Sequence, residues 1–299
     1  MTPSPAIDVH QHLWPPHFID ALRARSRPPR LTGWTLLLDG EPPYQVNPAD
    51  HVAARRRGLE EGRIVLGLSS PLGIEDLPPD VGGPLLGAWH DGAAALRPRF
   101  DAWAAVSARE PDLKGLRTLL DGGFVGLQVP ATWLSTPHAV EAFGPVLDVL
   151  AAANRPVFVH PGPVPSAPAA ERRPAWWPAL VEYPAQLTAA WWSWYVAGRS
   201  SFPDLRICFA AGAGLAPVHH ERFLARSGRP LVVDRGTYVD TSSYARQGVD
   251  SLIRVLGIDL LVLGSDRPYA TPLDVDLGEA ALAAIRHTNP LALLEGPRP

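Results

Sequence analysis

The chain has 299 residues, of which 46% are hydrophobic and 19% are charged, and its formal net charge is −3. It carries no basic patch, which argues against nucleic-acid binding, and no run approaches the roughly 20 apolar residues that cross a membrane. The single cysteine, Cys208, excludes an intramolecular disulfide framework and predicts a reducing compartment. Because no basic segment followed by an apolar one opens the chain, we expect no signal peptide and a cytoplasmic protein.

The sequence predicts strands and helices that alternate along the chain. Apolar runs predict eight strands near residues 6–10, 64–69, 100–106, 124–129, 156–160, 205–210, 237–242 and 260–265. Helical patterns lie near residues 16–25, 48–61, 111–121, 138–153, 184–198, 215–226, 247–256 and 276–287. A small hairpin over residues 31–47, turning at Asp39-Gly40, is inserted after the first strand, and a Gly- and Pro-rich loop precedes the third.

This alternation predicts an α/β fold, a (β/α)8 TIM barrel with a β-hairpin insertion after strand 1. Such a barrel commonly takes about 250 residues as one unit, so residues 1–299 are expected to form a single domain. Its active site is expected at the C-terminal ends of the strands.

Two histidines, His10 and His12, stand at the end of the first predicted strand. Side chains at i and i+2 of a strand point to the same side, so the two imidazoles can bind one metal ion. A solvated histidine beside a capping one would give the same pattern.

Two further strands end in residues that bind metals. His160 closes the strand before Pro161-Gly162, and Asp266 closes the last strand. Alone, His160 could be a core histidine and Asp266 a helix N-cap. Imidazoles with one carboxylate suit zinc, iron or manganese and leave a position for a reactive water. Three strands ending this way favour a metal site of His10, His12, His160 and Asp266.

Five stretches of the sequence match one known family. They are Ile7–His12, Val157–Pro161, Leu205–Ala210, Leu263–Pro268 and the closing Asn289–Leu294. The chain resembles, over essentially its whole length, the amidohydrolase-related group that includes aminocarboxymuconate-semialdehyde decarboxylase, resorcylate-type decarboxylases and related hydrolases. The resemblance implies a metal-dependent barrel with a β insertion, and many relatives form dimers, so we expect a homodimer.

The resemblance also bears on the number of metal ions. Binuclear members of the superfamily bridge two ions with a carboxylated lysine at the end of the fourth strand. Here that strand, residues 124–129, has no lysine, and Lys114, the only lysine of the chain, belongs to the preceding helix. We therefore expect one divalent ion, with zinc as the first choice.

One position departs from the family. The sixth strand usually ends in a histidine before a glycine-rich turn, and that histidine deprotonates the metal-bound water or polarises the substrate. Here Ala211 stands in its place, ahead of Gly212 and Gly214. Either the chemistry does not need the histidine, another residue replaces it, or the chain is impaired. His219 and His220 lie roughly 10 Å further along and are interpreted as helix residues.

Several residues are candidates for binding a small-molecule substrate. Residues 161–183 form a long loop that is interpreted as a lid or pocket wall, with Trp176, Trp177, Arg172 and Arg173. Arg267 could pair with a substrate carboxylate or form a salt bridge at the barrel mouth. Ser242, at the end of strand seven, could hydrogen-bond the substrate.

The predicted function is that of a metal-dependent hydrolase. Metal-activated water would attack an ester, lactone or amide carbonyl of a small acidic or aromatic substrate, with Asp266 as general base. One alternative is a metal-dependent decarboxylase, a carbon–carbon lyase. Another is a non-catalytic barrel, since Ala211 replaces the strand-six histidine.

Overall fold

Eight parallel strands surround a common centre in the computed structural model, which describes residues 5–39, 41–59, 62–165, 173–271 and 273–296. The barrel strands are β1 Ala6–Gln11, β5 Gly62–Leu66, β6 Asp101–Ala102, β7 Leu127–Pro130, β8 Val157–His160, β9 Ile207–Phe209, β10 Thr237–Asp240 and β11 Leu261–Val262. They pair in the orders β1-β5-β6 and β7-β8-β9-β10-β11.

Two seams close these sheets into one barrel. The amide of Val9 donates to the Leu263 carbonyl at 2.9 Å, which joins β1 to β11. A parallel bridge between Ala104 and Leu127 joins the end of β6 to β7. The predicted (β/α)8 barrel is therefore confirmed.

The barrel strands are buried because helices cover them outside and side chains fill them inside. All four residues of β8 are buried, as expected for parallel strands shielded on both faces. Inside, the ring of Phe158 stacks on Trp103 at 5.3 Å and meets His10 edge-on at 5.0 Å. This aromatic layer forms the floor beneath the strand ends.

The α-helices flank the barrel in sequence order. They are α1 Pro16–Arg23, α2 Ala53–Leu59, α3 Pro79–Ala95, α4 Leu113–Asp121, α5 Pro137–Ala142, α6 Gly144–Ala152, α7 Tyr183–Ser193, α8 Arg199–Ser201, α9 His220–Ser227, α10 Arg246–Leu256, α11 Glu279–Ala283 and α12 Asn289–Glu295. Turns of π-helix precede and follow α7, at Pro178–Glu182 and Trp194–Gly198. Among the described residues, no helix is long and apolar enough to cross a membrane.

The Gly- and Pro-rich stretch before the third barrel strand is the helix α3, so the prediction of a loop there was wrong. Leu85, Leu86 and Trp89 of this helix are buried, and their packing outweighs the low helix propensity of the glycines. Gly92 is needed for close packing, because a Cβ there would lie 2.5 Å from the Cβ of Pro15.

The insertion after β1 has three short antiparallel strands rather than one hairpin. They are β2 Arg30–Thr32, β3 Thr35–Leu37 and β4 Tyr44–Gln45. The tight turn of the first pair lies at Gly33-Trp34, with φ of 63° at Gly33. Asp39 lies in the longer connection from β3 to β4, and Gly40 is outside the described residues.

Candidate metal centre

Three buried histidines and the partly exposed Asp266 converge at the C-terminal end of the barrel. One ligand atom from each of His10, His12, His160 and Asp266 lies within 4.8 Å of the others. The Nε2 atom of His12 is 3.2 Å from Nε2 of both His10 and His160. The Oδ1 atom of Asp266 lies 3.2 Å from Nε2 of His12 and 3.3 Å from that of His10. The four residues predicted as ligands are therefore brought together.

Each histidine is oriented by an acceptor at its other ring nitrogen. The Nδ1 atom of His10 donates to Asp240 Oδ2 at 2.7 Å, and that of His12 to the Gly67 carbonyl at 3.0 Å. The Nδ1 atom of His160 donates to the Pro161 carbonyl at 2.8 Å. These bonds place a ring proton on each Nδ1, so all three Nε2 atoms point to the centre and would offer their lone pairs to a bound ion.

Asp240 connects the His10 side of the centre to the end of the sixth barrel strand. Its Oδ1 atom accepts hydrogen bonds from the Ala211 amide at 2.7 Å and from the Ser242 hydroxyl at 2.7 Å. The Ser242 hydroxyl also accepts from the Ala211 amide, at 3.1 Å. Ser242 therefore lies behind His10, and its predicted role in binding substrate stays a prediction.

Asp8, in β1 below His10, holds the backbone around the ligands. Its Oδ1 atom accepts from the amides of His10 and Ser265, both at 3.1 Å. Next to Ser265, Asp266 adopts a left-handed φ of 55°, a conformation that aspartate tolerates better than most residues. Asp8 thus fixes the two strand ends that carry ligands and acts as an orienting residue.

Burial and two carboxylates set the pKa values of the side chains at the centre. Burial alone would lower the pKa of His10, but Asp266 and Asp240 outweigh it and raise that pKa to about 10. Burial lowers the pKa of both His12 and His160. Burial would raise the pKa of Asp266, yet His10 and His12 hold it well below its ordinary range. Asp266 is therefore ionised.

The donor set fits a divalent cation. Asp266 Oδ1 is buried and faces Nε2 of His10 and His12, and it has no other hydrogen-bond partner in the described part of the chain. Three imidazole lone pairs at 3.2 Å spacing repel one another unless a cation or a proton lies between them. Three neutral imidazoles and one carboxylate are ligands that zinc and manganese accept in proteins.

Above His12, the mouth of the barrel carries aromatic residues that sequence reasoning did not single out. The ring of Tyr269 lies 5.4 Å from that of His12, and its hydroxyl is 3.4 Å from Ser69 Oγ. Ser69 also accepts from Trp14 Nε1 at 3.0 Å, and Trp14 stacks on His51 at 4.6 Å. Burial lowers the pKa of His51 to about 4, so His51 is neutral. The one sequence signal that could have indicated this cluster is the position of Tyr269, three residues after Asp266.

The predicted lid is partly described. Trp176 is 55% exposed and stacks loosely on Trp177, whose indole donates to Glu182 at 3.3 Å. Arg173 pairs with the same carboxylate at 2.5 Å, and Arg172 lies outside the described residues. Their contact with a substrate stays a prediction.

Arg267 is half-buried next to the last ligand. Its carbonyl accepts from the His12 amide at 2.7 Å, and its own amide donates to Ser265 Oγ at 3.4 Å. Its backbone therefore belongs to the seam between β1 and β11. Its pairing with a substrate anion stays a prediction, which the Michaelis constant of an Arg267→Ala variant would test.

Ala211 opens a run of five residues with left-handed φ, from 45° at Ala211 to 63° at Leu215. Such a run is costly for residues other than glycine, and the Asp240 hydrogen bond to the Ala211 amide helps to hold it. His220 begins α9, as its interpretation as a helix residue predicted. Neither His219 nor His220 belongs to the ligand cluster.

Comparisons with solved structures agree on the fold. The chain is 18% identical to 5-carboxyvanillate decarboxylase from Sphingomonas paucimobilis, covering 97% of this chain and 98% of that one with a TM-score of 0.71. It is 17% identical to a dihydroxybenzoic acid decarboxylase from a Polaromonas species, whose structure holds manganese and the inhibitor 2-nitroresorcinol; the coverage is 99% and 98% and the TM-score 0.72. An amidohydrolase II is 19% identical, with coverage of 97% and 99% and a TM-score of 0.72.

These structural relatives are the amidohydrolases and decarboxylases that the sequence motifs predicted, and they share the barrel fold. No protein-family model matches the chain, and no curated protein matches it in sequence.

Proposed function

We propose that the chain is a mononuclear metal-dependent decarboxylase of a small aromatic or unsaturated carboxylic acid. The observation that carries the proposal is the convergence of His10, His12, His160 and Asp266 in a barrel whose solved relatives include several decarboxylases of aromatic acids. These relatives support decarboxylation better than the hydrolysis that the sequence favoured. Manganese, present in three of the related structures, stands beside zinc as the candidate ion.

The ligand set assigns a role to each of the four residues. The three histidines would hold the ion through Nε2, because their Nδ1 atoms are already engaged, and Asp266 would hold it through Oδ1. A divalent ion in this position supplies Lewis-acid polarisation of a substrate oxygen. Arg267, beside Asp266, would pair with the carboxylate of the acid.

Asp266 is the residue that would move the proton. In decarboxylation the bond from carbon to the carboxylate breaks, CO2 leaves, and a proton takes its place on that carbon. The side chain of Asp266 is 22% exposed, whereas the three histidine ligands are buried, so Asp266 would relay a proton from solvent to the carbon. The buried histidines cannot do so while their Nε2 lone pairs bind the ion.

Hydrolysis is the second candidate, and Ala211 favours it. Strand six supplies no side-chain base, and Asp266 alone could accept the proton of an attacking water. Both reactions use the same ligands, so only the substrate class distinguishes them.

The test is a substrate screen of the metal-loaded protein, followed by the Ala211→His variant. We expect CO2 release from an aromatic or unsaturated acid and no turnover of esters, lactones or amides. Histidine suits the left-handed φ of 45° at this position and would add a base beside Asp240 and His10, so decarboxylation should rise in the variant. Turnover of esters or lactones alone, lowered by Ala211→His, would establish the hydrolase instead.

A further inference from the structure

A second buried polar structure lies on the other side of His12. We call it the Gln128 chain; it consists of Gln128 on β7 with Ser70 and Glu75 from the loop after β5. All three side chains are at most 1% exposed. Gln128 Nε2 donates to Ser70 Oγ at 2.9 Å, and Ser70 Oγ donates to Glu75 Oε1 at 2.5 Å. Sequence reasoning did not single out any of these residues.

The direction of every hydrogen bond in the Gln128 chain is determined by one backbone carbonyl. Gln128 Nε2 also donates to the Leu68 carbonyl at 2.5 Å. A carbonyl only accepts, so the amide cannot turn its oxygen to that side. The second N–H of the amide then donates to Ser70 Oγ, and the Ser70 hydroxyl in turn donates a hydrogen bond to Glu75. The orientation of Gln128 is therefore locked.

The locked amide leaves its oxygen without a partner. Gln128 Oε1 is buried and accepts no hydrogen bond from any residue that the structure describes. An unpaired buried carbonyl destabilises a protein, and such groups in native structures usually meet a water or a ligand. Gln128 Oε1 can therefore still accept a hydrogen bond.

Gly67 places this oxygen next to the metal centre. A Cβ on Gly67 would lie 2.2 Å from Gln128 Oε1 and 3.6 Å from Cε1 of His12. Gln128 Oε1 and the edge of the His12 ring therefore both border the space that a side chain at Gly67 would fill. The carbonyl of the same glycine orients His12 at 3.0 Å, so one residue connects the two polar structures.

We propose that Gln128 Oε1 accepts a hydrogen bond from a neutral donor of the substrate, a hydroxyl or an amine, bound beside His12. Gln128 is then a specificity-determining residue of the proposed decarboxylase, and the inference rests on that proposed function. Because the amide is locked, a methoxy group or a second carboxylate in the same position would meet an oxygen it cannot bond. Ser70 and Glu75 act through Gln128 as positioning residues.

The experiment compares ligands that differ by one donor. The protein, loaded with manganese, is titrated calorimetrically with the hydroxybenzoates and their methoxy counterparts. A second pair, acetohydroxamate and N-methylacetohydroxamate, binds a divalent ion through two oxygens and differs by one N–H. We expect at least one donor-bearing probe to bind about 3- to 10-fold more tightly than its blocked counterpart. This preference should disappear in Gln128→Met, which keeps the length of the side chain.

Gln186→Met is the matched control, because Gln186 Oε1 already accepts from the Gly162 amide at 2.8 Å. It should keep the preference for the donor. Metal content and the thermal unfolding midpoint of each variant verify that the site and the fold persist. If neither series separates the wild type from Gln128→Met, the oxygen is occupied by a buried water and the inference falls. Failure of every benzoate with a normal result for the hydroxamates would refute the proposed aromatic substrate and leave Gln128 as a donor-binding residue.

Discussion

The metal centre and the Gln128 chain lie on two sides of His12 and differ in what would satisfy their unpaired atoms. In the metal centre each Nδ1 atom already has an acceptor, and the atoms left facing the centre are three Nε2 nitrogens and a carboxylate oxygen. In the Gln128 chain both amide protons are also used, and the atom left over is one neutral carbonyl oxygen. The first arrangement is completed by a cation and the second by a hydrogen-bond donor. The unsatisfied atoms of a buried site thus indicate the chemical class of what it binds.

Removing metal ligands should have the largest effect on the protein. The His10→Ala, His12→Ala double variant loses two imidazole ligands, so the metal content should fall from about one ion per chain to near zero, and turnover with it. Atomic emission spectroscopy of the dialysed protein measures the content.

His138→Ala is the control, since this imidazole is 91% exposed and does not belong to the ligand cluster. A wild-type content near two ions per chain, or unchanged content in the double variant, would show that the four residues do not form a mononuclear site.

Asp266→Asn should have the next largest effect. Asparagine keeps the shape and the left-handed backbone of the residue but cannot carry the proton. Removing such a group lowers the rate by about 10²–10⁴, and by more if the ion is lost as well. The turnover number at constant metal loading measures the loss. Asp276→Asn, an exposed carboxylate that pairs with Arg246, should leave it unchanged. Near-normal turnover by Asp266→Asn would remove Asp266 from the proton transfer.

The metal ligands could be predicted from the sequence, whereas the Gln128 chain could not. His10, His12, His160 and Asp266 follow apolar runs, and parallel strands bring their C-terminal ends together, so one-dimensional patterns were enough to find the cation side. The Gln128 chain joins Gln128 to Ser70, 58 positions away, and depends on the direction of the Leu68 carbonyl, 60 positions away. No periodicity encodes that.

The same limit applies to the fold. Strand existence was predicted correctly because each strand is a short apolar run. Helix α3 was missed because Gly82, Gly83, Pro84 and Gly87 are typical of a loop, while its stability comes from tertiary burial of Trp89 and its neighbours. The turn of the insertion was placed at Asp39-Gly40 because that dipeptide is a strong turn signal, yet Gly33 takes the tight turn.

The smallest expected effect concerns the charge of Glu75, at the end of the Gln128 chain. Burial raises the pKa of Glu75 from 4.5 to about 7, although the Ser70 hydrogen bond lowers it. The unfolded chain releases this proton near pH 4.5 and the folded chain near pH 7, so the unfolded state binds fewer protons in between. The free energy of unfolding should therefore fall by about 3 kcal/mol as the pH rises through that window, and level off above it.

Glu75→Gln should remove this fall, because glutamine still accepts from Ser70 but does not ionise. Urea unfolding of the metal-free protein at pH 5 and pH 8 measures the difference between variant and wild type, and the exposed Glu221→Gln is the control. The variant should gain stability relative to the wild type at pH 8 only. An equal pH dependence in both proteins would contradict a neutral Glu75 at low pH. Ser70 would then donate to a permanent carboxylate, and the Gln128 side of His12 would carry a full negative charge, as the metal side does through Asp266.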